Sequence, residues 1–173
     1  MNDATQIRPA TEADVEAVFH IRTSVRENHL SLEQMATMGI TPDAIREAIA
    51  AEPCAWLAEA DGKAVGFAMV DAEEGCVFAA FVLPEWEGRG LGRRLMAEAE
   101  ASLFRRHETI WLETDGRSRA SGFYAHLGWK PTATDGNGDV RFEKKRPRPA
   151  LSLSGQAKSL FEARRKAFLR PGE

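Results

Sequence analysis

The apolar positions of the first 51 residues follow the spacing of one strand and two helices. The strand and the two helices are predicted over residues 5–9, 12–26 and 41–51. Thr11 precedes the first helix, and Thr41 with Pro42 opens the second, because a threonine cap and a first-turn proline are typical helix starts. A polar break, RENHLS at 26–31, separates the two helices.

Residues 54–83 alternate between strand-like runs and turn signals. The first turn signal is Asp61-Gly62 and the second is Glu74-Gly75, and each stands between two apolar runs. This segment is therefore predicted to form three consecutive antiparallel strands.

The second half of the chain mixes the helical and the strand period. A helix is predicted over residues 90–106, because apolar residues recur there at every fourth position. A strand (109–114), a helix (118–127) and a final hairpin (128–145) follow. The result is an α/β (α+β) fold with about seven strands and about four helices.

Composition and charge suit one domain with a basic tail. The chain has 173 residues, is 43% hydrophobic and carries a net charge of -3. Nine of its 23 Lys/Arg and two of its 26 Asp/Glu lie from Lys144 onward, which leaves +7 there and -10 before it. The RPRPA linker predicts a domain over 1–146 and a helical tail over 147–173. That tail helix either packs on its own domain, frays in solvent or forms an interface in a homodimer.

Several classes of protein are disfavoured by what the sequence contains. The acidic body argues against general nucleic-acid binding and favours a cationic acceptor. No apolar run approaches the roughly 20 residues of a membrane span, and no secretory signal is visible, so we expect a cytoplasmic protein. Cys54 and Cys76 lie in apolar segments without metal-ligand spacing, which predicts buried free thiols and no metal site.

The stretch PEWEGRGLGRRL (84–95) places three alternating glycines between a predicted strand and a predicted helix. Free N–H groups and the positive dipole end of a helix form an anion cradle, most often for phosphate. Arg89, Arg93 and Arg94 add positive charge. The spacing fits neither a Walker loop nor a dinucleotide fingerprint. A glycine-rich turn without a ligand is the remaining alternative.

A second segment, RSRASGFYAHLGW (117–129), contains Tyr124, the only tyrosine of the protein. Taken alone, Tyr124 is equally well explained as a half-buried packing residue.

Together the two segments resemble a GNAT-type N-acetyltransferase. The acetyl-CoA signature of that family, Gln/Arg-x-x-Gly-x-Gly/Ala after a strand ending Val-x-Pro, is similar to EGRGLG (87–92) after VLP (82–84). The later family pattern, Asn-x-x-Ala-x-x-Phe-Tyr-x-x-x-Gly-Phe, is similar to R-x-x-A-x-x-F-Y-x-x-x-G-W (117–129). The resemblance covers residues 5–145 and includes the order of the strands.

The resemblance implies a mixed, mostly antiparallel sheet that opens between its fourth strand (77–83) and its fifth (109–114). Acetyl-CoA would bind in that opening as co-substrate. The pantetheine arm would bond to backbone around Phe81 and Val82, and the pyrophosphate would lie on the amides of 88–93. The implied cofactor-binding residues are Phe81, Val82, Glu87, Gly88, Arg89, Gly90, Leu91, Gly92, Arg93, Arg117 and Tyr124. Glu87 replaces the family's Gln or Arg and is expected to point outward. Arg117 replaces Asn and is expected to meet a phosphate, or else to lie in a solvated loop.

The resemblance also implies a reaction, direct transfer of an acetyl group to a primary amine of a small molecule, peptide or protein. Tyr124 would be the catalytic residue that donates a hydrogen bond or proton to the leaving thiolate, and an N–H near Val82 would meet the oxyanion. Glu27, His29 and Glu113 are the candidates for the base and for substrate binding, beside a water chain with no single base. The acceptor pocket would form from 24–35 and 133–140.

Two other functions compete with this reading. One is a non-catalytic acyl-CoA sensor or partner-binding module on the same fold, which the absence of an acid from strand 76–83 leaves open. The other is a toxin that acetylates aminoacyl-tRNA, which the basic tail favours and the acidic body opposes.

Overall fold

The computed structural model describes residues 4–27 and 29–148. Its seven strands form one sheet in the order β1-β2-β3-β4-β5-β7-β6. Every neighbouring pair is antiparallel except β4 and β5, which are parallel. The strands are β1 Thr5–Pro9, β2 Ala55–Ala60, β3 Lys63–Asp71, β4 Cys76–Val82, β5 Thr109–Asp115, β6 Lys130–Thr134 and β7 Asp139–Lys145. The predicted fold class is therefore confirmed.

Five α-helices accompany the sheet in the described part of the chain, where about four were predicted. They are α1 Val15–Ser24, α2 Leu32–Thr37, α3 Pro42–Ala51, α4 Leu91–Leu103 and α5 Arg119–His126. The helix that the periodicity missed is α2, whose six residues are too few to show a period. Its signal was a capping box, in which Ser31 and Gln34 each accept the other's backbone N–H.

The opening of the sheet lies at the β4–β5 pair, as predicted. The two strands share a single register pair, Cys76 with Trp111. At that end Trp111 donates its backbone N–H to the carbonyl of Gly75 (3.1 Å) and its indole N–H to that of Glu74 (3.0 Å). Beyond this point the strands diverge, and β4 keeps an unpaired edge toward β5.

Helix α4 packs across the middle strands through a stripe of apolar residues at every fourth position. Leu91, Leu95, Ala99 and Leu103 are all buried to within 1% of complete. The helix lies very close to the sheet at Gly66, where an added Cβ would stand 3.2 Å from the Leu95 side chain and 3.0 Å from the Phe81 carbonyl. A larger residue at position 66 would therefore push α4 away from β3 and β4.

A half-buried polar cluster ties α4 to the second half of the sheet. Glu100 accepts hydrogen bonds from the indole N–H of Trp129 (2.9 Å) and from the Lys144 ammonium (2.8 Å). Lys144 also donates to the carbonyl of Leu127 (2.8 Å). The cluster joins α4, β7 and the loop after α5, so it holds α5 against the opening of the sheet.

Both cysteines are buried and free, as predicted. Burial raises the pKa of each thiol to about 11, so neither is a reactive thiolate at neutral pH. Among the described residues, no helix has the length and apolar character to cross a membrane. The predicted tail helix and nearly all of the predicted tail (147–173) lie outside the described residues.

We predict that Glu100→Ala lowers the free energy of unfolding by about 2–3 kcal/mol, because it leaves Lys144 and the Trp129 indole without their shared acceptor. Urea unfolding measures the change. Glu98→Ala, an exposed glutamate on the same helix, is the control and should shift it by less than about 0.5 kcal/mol. Equal effects of the two substitutions would contradict a structural role for the cluster.

Candidate active site

A cleft of about 700 Å³ occupies the gap between the diverging strands. Its walls come from the end of α1, the edge of β4, the glycine turn before α4, and α5. The lining residues are Val25, Arg26, Glu27, Ala80, Phe81, Val82, Trp86, Glu87, Gly88, Gly90, Leu91, Gly92, Arg93, Leu95, Arg119, Ala120, Phe123, Tyr124 and His126. The structure thus brings together the glycine turn and the Tyr124 segment, which are distant in sequence.

The three glycines of the turn have two different roles. Gly88 and Gly90 have φ values of 74° and 79°, a backbone conformation that glycine adopts readily, and a Cβ at either would meet open space. Gly92 instead allows close packing, since a Cβ there would lie 3.3 Å from the Phe123 ring. The first two glycines therefore shape the turn, and the third seats α4 against α5.

The turn presents a row of free backbone donors. Within the described part of the chain, no acceptor takes the N–H groups of Gly88, Gly90, Leu91, Gly92 or Arg93. The turn lies at the positive dipole end of α4, a helix of 13 residues. This arrangement is suited to bind phosphate oxygens.

The three arginines of the turn do not all serve the cleft. Arg93 lines it. Arg94 donates to the Thr5 hydroxyl (3.0 Å) and so turns toward β1. The guanidinium of Arg89 lies 4.4 Å from the centre of the Trp86 ring. Trp86 itself lines the cleft, so Arg89 stands beside the lining and not in it.

The edge of β4 offers hydrogen-bonding groups to the cleft. The N–H of Leu83 bonds to the carbonyl of Val65 on the β3 side (2.8 Å). Since these groups alternate along a strand, the N–H of Val82 points to the opposite edge, where β5 has already diverged. Phe81 pairs with Phe67 of β3 and is also a lining residue of the cleft. Of the two predicted backbone sites, Val82 faces the opening.

Tyr124 lies at the cleft wall with its ring held by other aromatic side chains. Its centroid lies 5.4 Å from that of Phe123 and 6.3 Å from those of Trp129 and Phe142. The residue is 7% exposed, and its hydroxyl has no hydrogen-bond partner in the described part of the chain. Burial raises the pKa of Tyr124 to about 12, so the phenol is a neutral donor at physiological pH.

Arg119, which the sequence analysis did not select, ties three walls of the cleft together. Its guanidinium contacts Glu27 at the end of α1 (3.3 Å) and Glu87 of the glycine turn (3.2 Å). Glu87 therefore lines the cleft as a partner of Arg119, and the expectation that it points outward is wrong. The ion pair is the physical reason, because it holds the carboxylate toward α5.

Arg117 does not line the cleft in this structure. Asp115 at the end of β5 accepts hydrogen bonds from both the backbone N–H (2.8 Å) and the guanidinium (3.2 Å) of Arg117. This local turn leaves the Arg117 side chain 83% exposed. Of the two expectations for Arg117, the solvated loop is the one that this geometry matches, because the turn chemistry of Asp115 holds the side chain locally.

Two of the three candidate bases also lie outside the cleft lining. Glu113 is more than half exposed on β5 and faces Arg141 at 4.0 Å. His29 lies in the loop after α1, and its ring Nε2 is 3.2 Å from the carbonyl oxygen of Thr23. Glu27 does line the cleft, but it is paired with Arg119.

Two further lining residues, Trp86 and His126, were missed by sequence reasoning. His126 stands two positions after Tyr124 in the last turn of α5. Its place beside the second motif was the available signal. Trp86 gave none, because its arrival at the cleft depends on how the glycine turn packs against the sheet.

We predict that Tyr124, as the only tyrosine, gives a single ultraviolet phenolate titration with a midpoint near pH 12 in the folded protein. In denaturant the midpoint should return to about 10. Because the folded pKa is the higher one, the folded state binds more protons between these values. The free energy of unfolding should therefore fall as pH rises from about 10 to about 12. A folded midpoint near 10 would contradict the burial of the hydroxyl.

Comparison with known sequences finds similarity to acetyltransferases over the middle of the chain. Residues 51–131 match the profile described as an acetyltransferase (GNAT) domain. An uncharacterized N-acetyltransferase of Archaeoglobus fulgidus is 33% identical over 93 residues, which are 47% of this chain and 63% of that protein. The match thus spans less than two thirds of the relative's length. The matches to a GNAT acetyltransferase domain and to an N-acetyltransferase confirm the resemblance read from the two motifs.

Solved structures with the same fold include proteins bound to coenzyme A. PaiA N-acetyltransferase from Thermoplasma acidophilum, in complex with coenzyme A, has a TM-score of 0.69 at 20% identity and covers 83% of this chain and 99% of its own. YncA, a putative acetyltransferase from Salmonella typhimurium with its cofactor acetyl-CoA, has a TM-score of 0.67 at 20% identity, covering 85% and 96%. These similarities show that the fold is shared.

Proposed function

We propose that the protein is an acetyl-CoA-dependent N-acetyltransferase that transfers the acetyl group directly to a primary amine. One observation carries the proposal: the free N–H groups of the glycine turn, the unpaired edge of β4 and the hydroxyl of Tyr124 line one continuous cleft. The family match and the coenzyme-bound structural relatives support it.

The residues present fit coenzyme A. The N–H groups from Gly88 to Arg93 would hold the pyrophosphate at the start of α4. The cleft-facing edge of β4 at Val82 would bond the amide groups of the pantetheine arm. When bound, acetyl-CoA supplies the activated acetyl group as a thioester.

Tyr124 and Val82 would then act on the two places where charge develops. The N–H of Val82 is available to the carbonyl oxygen of the thioester as an oxyanion donor. The neutral phenol of Tyr124 would donate to the sulfur as the carbon–sulfur bond breaks and the amine nitrogen bonds to the acetyl carbon. A pKa near 12 suits this role because the donor keeps its proton over the whole working range of pH.

Deprotonation of the amine would go through water. The two carboxylates that line the cleft, Glu27 and Glu87, are both paired with Arg119, so neither is a free base in this arrangement. An α-amine with a pKa near 8 is partly neutral at physiological pH, whereas a lysine amine near 10.4 is almost fully charged. The site therefore favours acceptors of low amine pKa.

The same pairing of Glu27 and Glu87 favours one competing function, an acyl-CoA sensor without turnover. The retained Tyr124 hydroxyl favours the enzyme. Release of free thiol in the presence of a panel of amines discriminates the two. A homodimer and a cytoplasmic location remain part of the proposal, and sizing of the chain with and without 147–173 tests the first.

The deciding experiment is calorimetric titration with acetyl-CoA and CoA, compared with NAD and ATP. Selective binding of acetyl-CoA or CoA at micromolar concentration supports the proposal. A preference for NAD or ATP, or no binding at all, contradicts the function assigned to the glycine turn.

We predict that Gly90→Asp abolishes binding of acetyl-CoA, because the new side chain occupies the anion cradle and adds a negative charge. The matched control is Gly62→Asp in the β2–β3 turn, where φ is 76° and the surroundings are equally open. The two variants carry similar backbone strain, so calorimetry isolates the effect of position. Native affinity in Gly90→Asp would show that the cradle is elsewhere.

We predict that Tyr124→Phe lowers kcat by roughly ten- to a thousandfold with little change in acetyl-CoA affinity. The hydroxyl has no partner in the described part of the chain, so its removal should not lower the melting temperature. Steady-state kinetics, calorimetry and thermal unfolding of the same preparation measure all three. An unchanged kcat would remove Tyr124 from the mechanism.

A further inference from the structure

A second cavity of about 210 Å³ lies on the other side of the sheet, between β3, β4 and helices α1 to α3. Its walls are apolar and include Phe19 of α1, Met35 of α2, Ile45 of α3 and Met69 of β3. The volume exceeds the roughly 150 Å³ of an apolar cavity that holds benzene. The cavity is therefore large enough for one large apolar side chain.

Arg22 of α1 is the one charged residue among the described residues that line this cavity. Its Nη1 is completely buried and has no hydrogen-bond partner. The guanidinium lies 4.3 Å from the centre of the Phe81 ring, a cation–π contact that offsets only part of the cost of its burial. No carboxylate in the described part of the chain pairs with it. Burial accordingly lowers the pKa of Arg22.

An unpaired, partly buried arginine in an apolar wall is costly, and such groups in native proteins usually have a partner. The guanidinium presents five N–H donors in a planar fork that matches a carboxylate. The missing partner in this cavity is therefore an anion, and the apolar walls require that the anion be attached to an apolar group.

The cavity adjoins the active-site cleft at Phe81, which lines both. Arg22 stands against that ring, so an anion bound to it lies at the boundary between the two spaces. Val25, the first residue after α1, stands three positions beyond Arg22 and lines the cleft. A ligand held by Arg22 can thus extend one group into the cavity and another toward the cleft.

The entrance to the cavity is apolar as well. Met38 after α2 is 64% exposed and Phe78 of β4 is 50% exposed, and both line the cavity. Exposed apolar side chains that adjoin an apolar pocket are typical of a ligand-binding site.

We propose that this cavity and Arg22 select the acceptor, a small α-amino acid with a large apolar side chain. Its carboxylate pairs with Arg22, its side chain fills the cavity, and its amine faces the cleft. The inference rests on the proposed acetyltransferase function and names its substrate class. The carboxylate of a free amino acid raises the pKa of its amine above that of a peptide α-amine, and pairing of that carboxylate with Arg22 would lower the amine pKa again.

The test compares acceptors with and without a carboxylate, in protein with and without the Arg22 guanidinium. Wild-type protein should acetylate leucine with a kcat/KM about ten- to a hundredfold above that of leucinamide. In Arg22→Met this ratio should fall to about one, because KM for leucine rises while kcat/KM for leucinamide stays the same. A merely structural role for Arg22 would lower both substrates together.

Arg22→Met keeps the apolar stem and should fold with unchanged or increased stability, because it removes an unpaired buried charge. Arg46→Met is the matched control, since Arg46 lies on the exposed face of α3 and pairs with Asp43. The control should keep the wild-type ratio of leucine to leucinamide. A wild-type ratio of about one, or a ratio that survives in Arg22→Met, overturns the proposal.

A second variant tests the cavity without touching a charge. Ala79→Leu on β4 should reduce the space and raise KM for leucine and phenylalanine about tenfold while leaving KM for alanine unchanged. Equal changes for all three amino acids would overturn the assignment of the cavity to the side chain.

The same assays distinguish two other possible occupants of the cavity. A peptide with N-terminal leucine that is a better acceptor than leucine would assign the site to protein N-termini. A preference for hexanoyl-CoA over acetyl-CoA that is lost in Ala79→Leu would assign the cavity to the acyl chain. Either outcome overturns the proposal.

Calorimetry with leucine, with and without saturating CoA, separates this inference from the proposed function. Leucine binding that is weakened in Arg22→Met supports the amino-acid site even if no acetyl transfer occurs. Binding of CoA and transfer to other amines, without binding of leucine, overturns the inference and leaves the acetyltransferase intact.

Discussion

The active site depends on one constraint, that the parallel strands β4 and β5 are joined at one end only. Trp111 fastens β5 to the turn before β4 through its backbone and its indole, and no further register pair follows. The divergence leaves the N–H of Val82 without a partner strand and opens a gap wide enough for a ligand. Helix α4, seated on Gly66, then places the glycine turn at the mouth of this gap.

Electrostatics inside the cleft differ from those of the acidic body. The free N–H groups and Arg93 provide positive potential, and the two carboxylates of the lining are both paired with Arg119. An ion pair between partly exposed groups adds little stability. Its consequence here is that Arg119 offsets part of the negative charge of Glu27 and Glu87, which weakens their repulsion of an anionic ligand in a protein of net negative charge.

Arg22 has a buried guanidinium nitrogen without a hydrogen-bond partner, and the hydroxyl of Tyr124, a residue that is 7% exposed, has none in the described part of the chain. A polar group left unsatisfied in such surroundings lowers stability, which native proteins tolerate mainly where a ligand completes the bonding. On the proposed function, Tyr124 would donate to the sulfur of the co-substrate and Arg22 would bind the acceptor. The two groups would then define the direction in which the acetyl group passes through the sheet.

Local periodicity, turn chemistry and motif spacing were enough to predict the strands, the long helices, the two motifs and the resemblance to the GNAT family. Gly88, Gly90 and Tyr124 were found in this way. The charges that reach the cleft were fixed by tertiary packing instead. This packing placed Arg119 at the cleft and Arg117 outside it, held Glu87 toward α5 and left Glu113 and His29 outside. It also brought Arg22 to an apolar cavity. Such placements depend on how helices pack on the sheet, and a side chain's partners across that packing leave no periodic trace in the sequence.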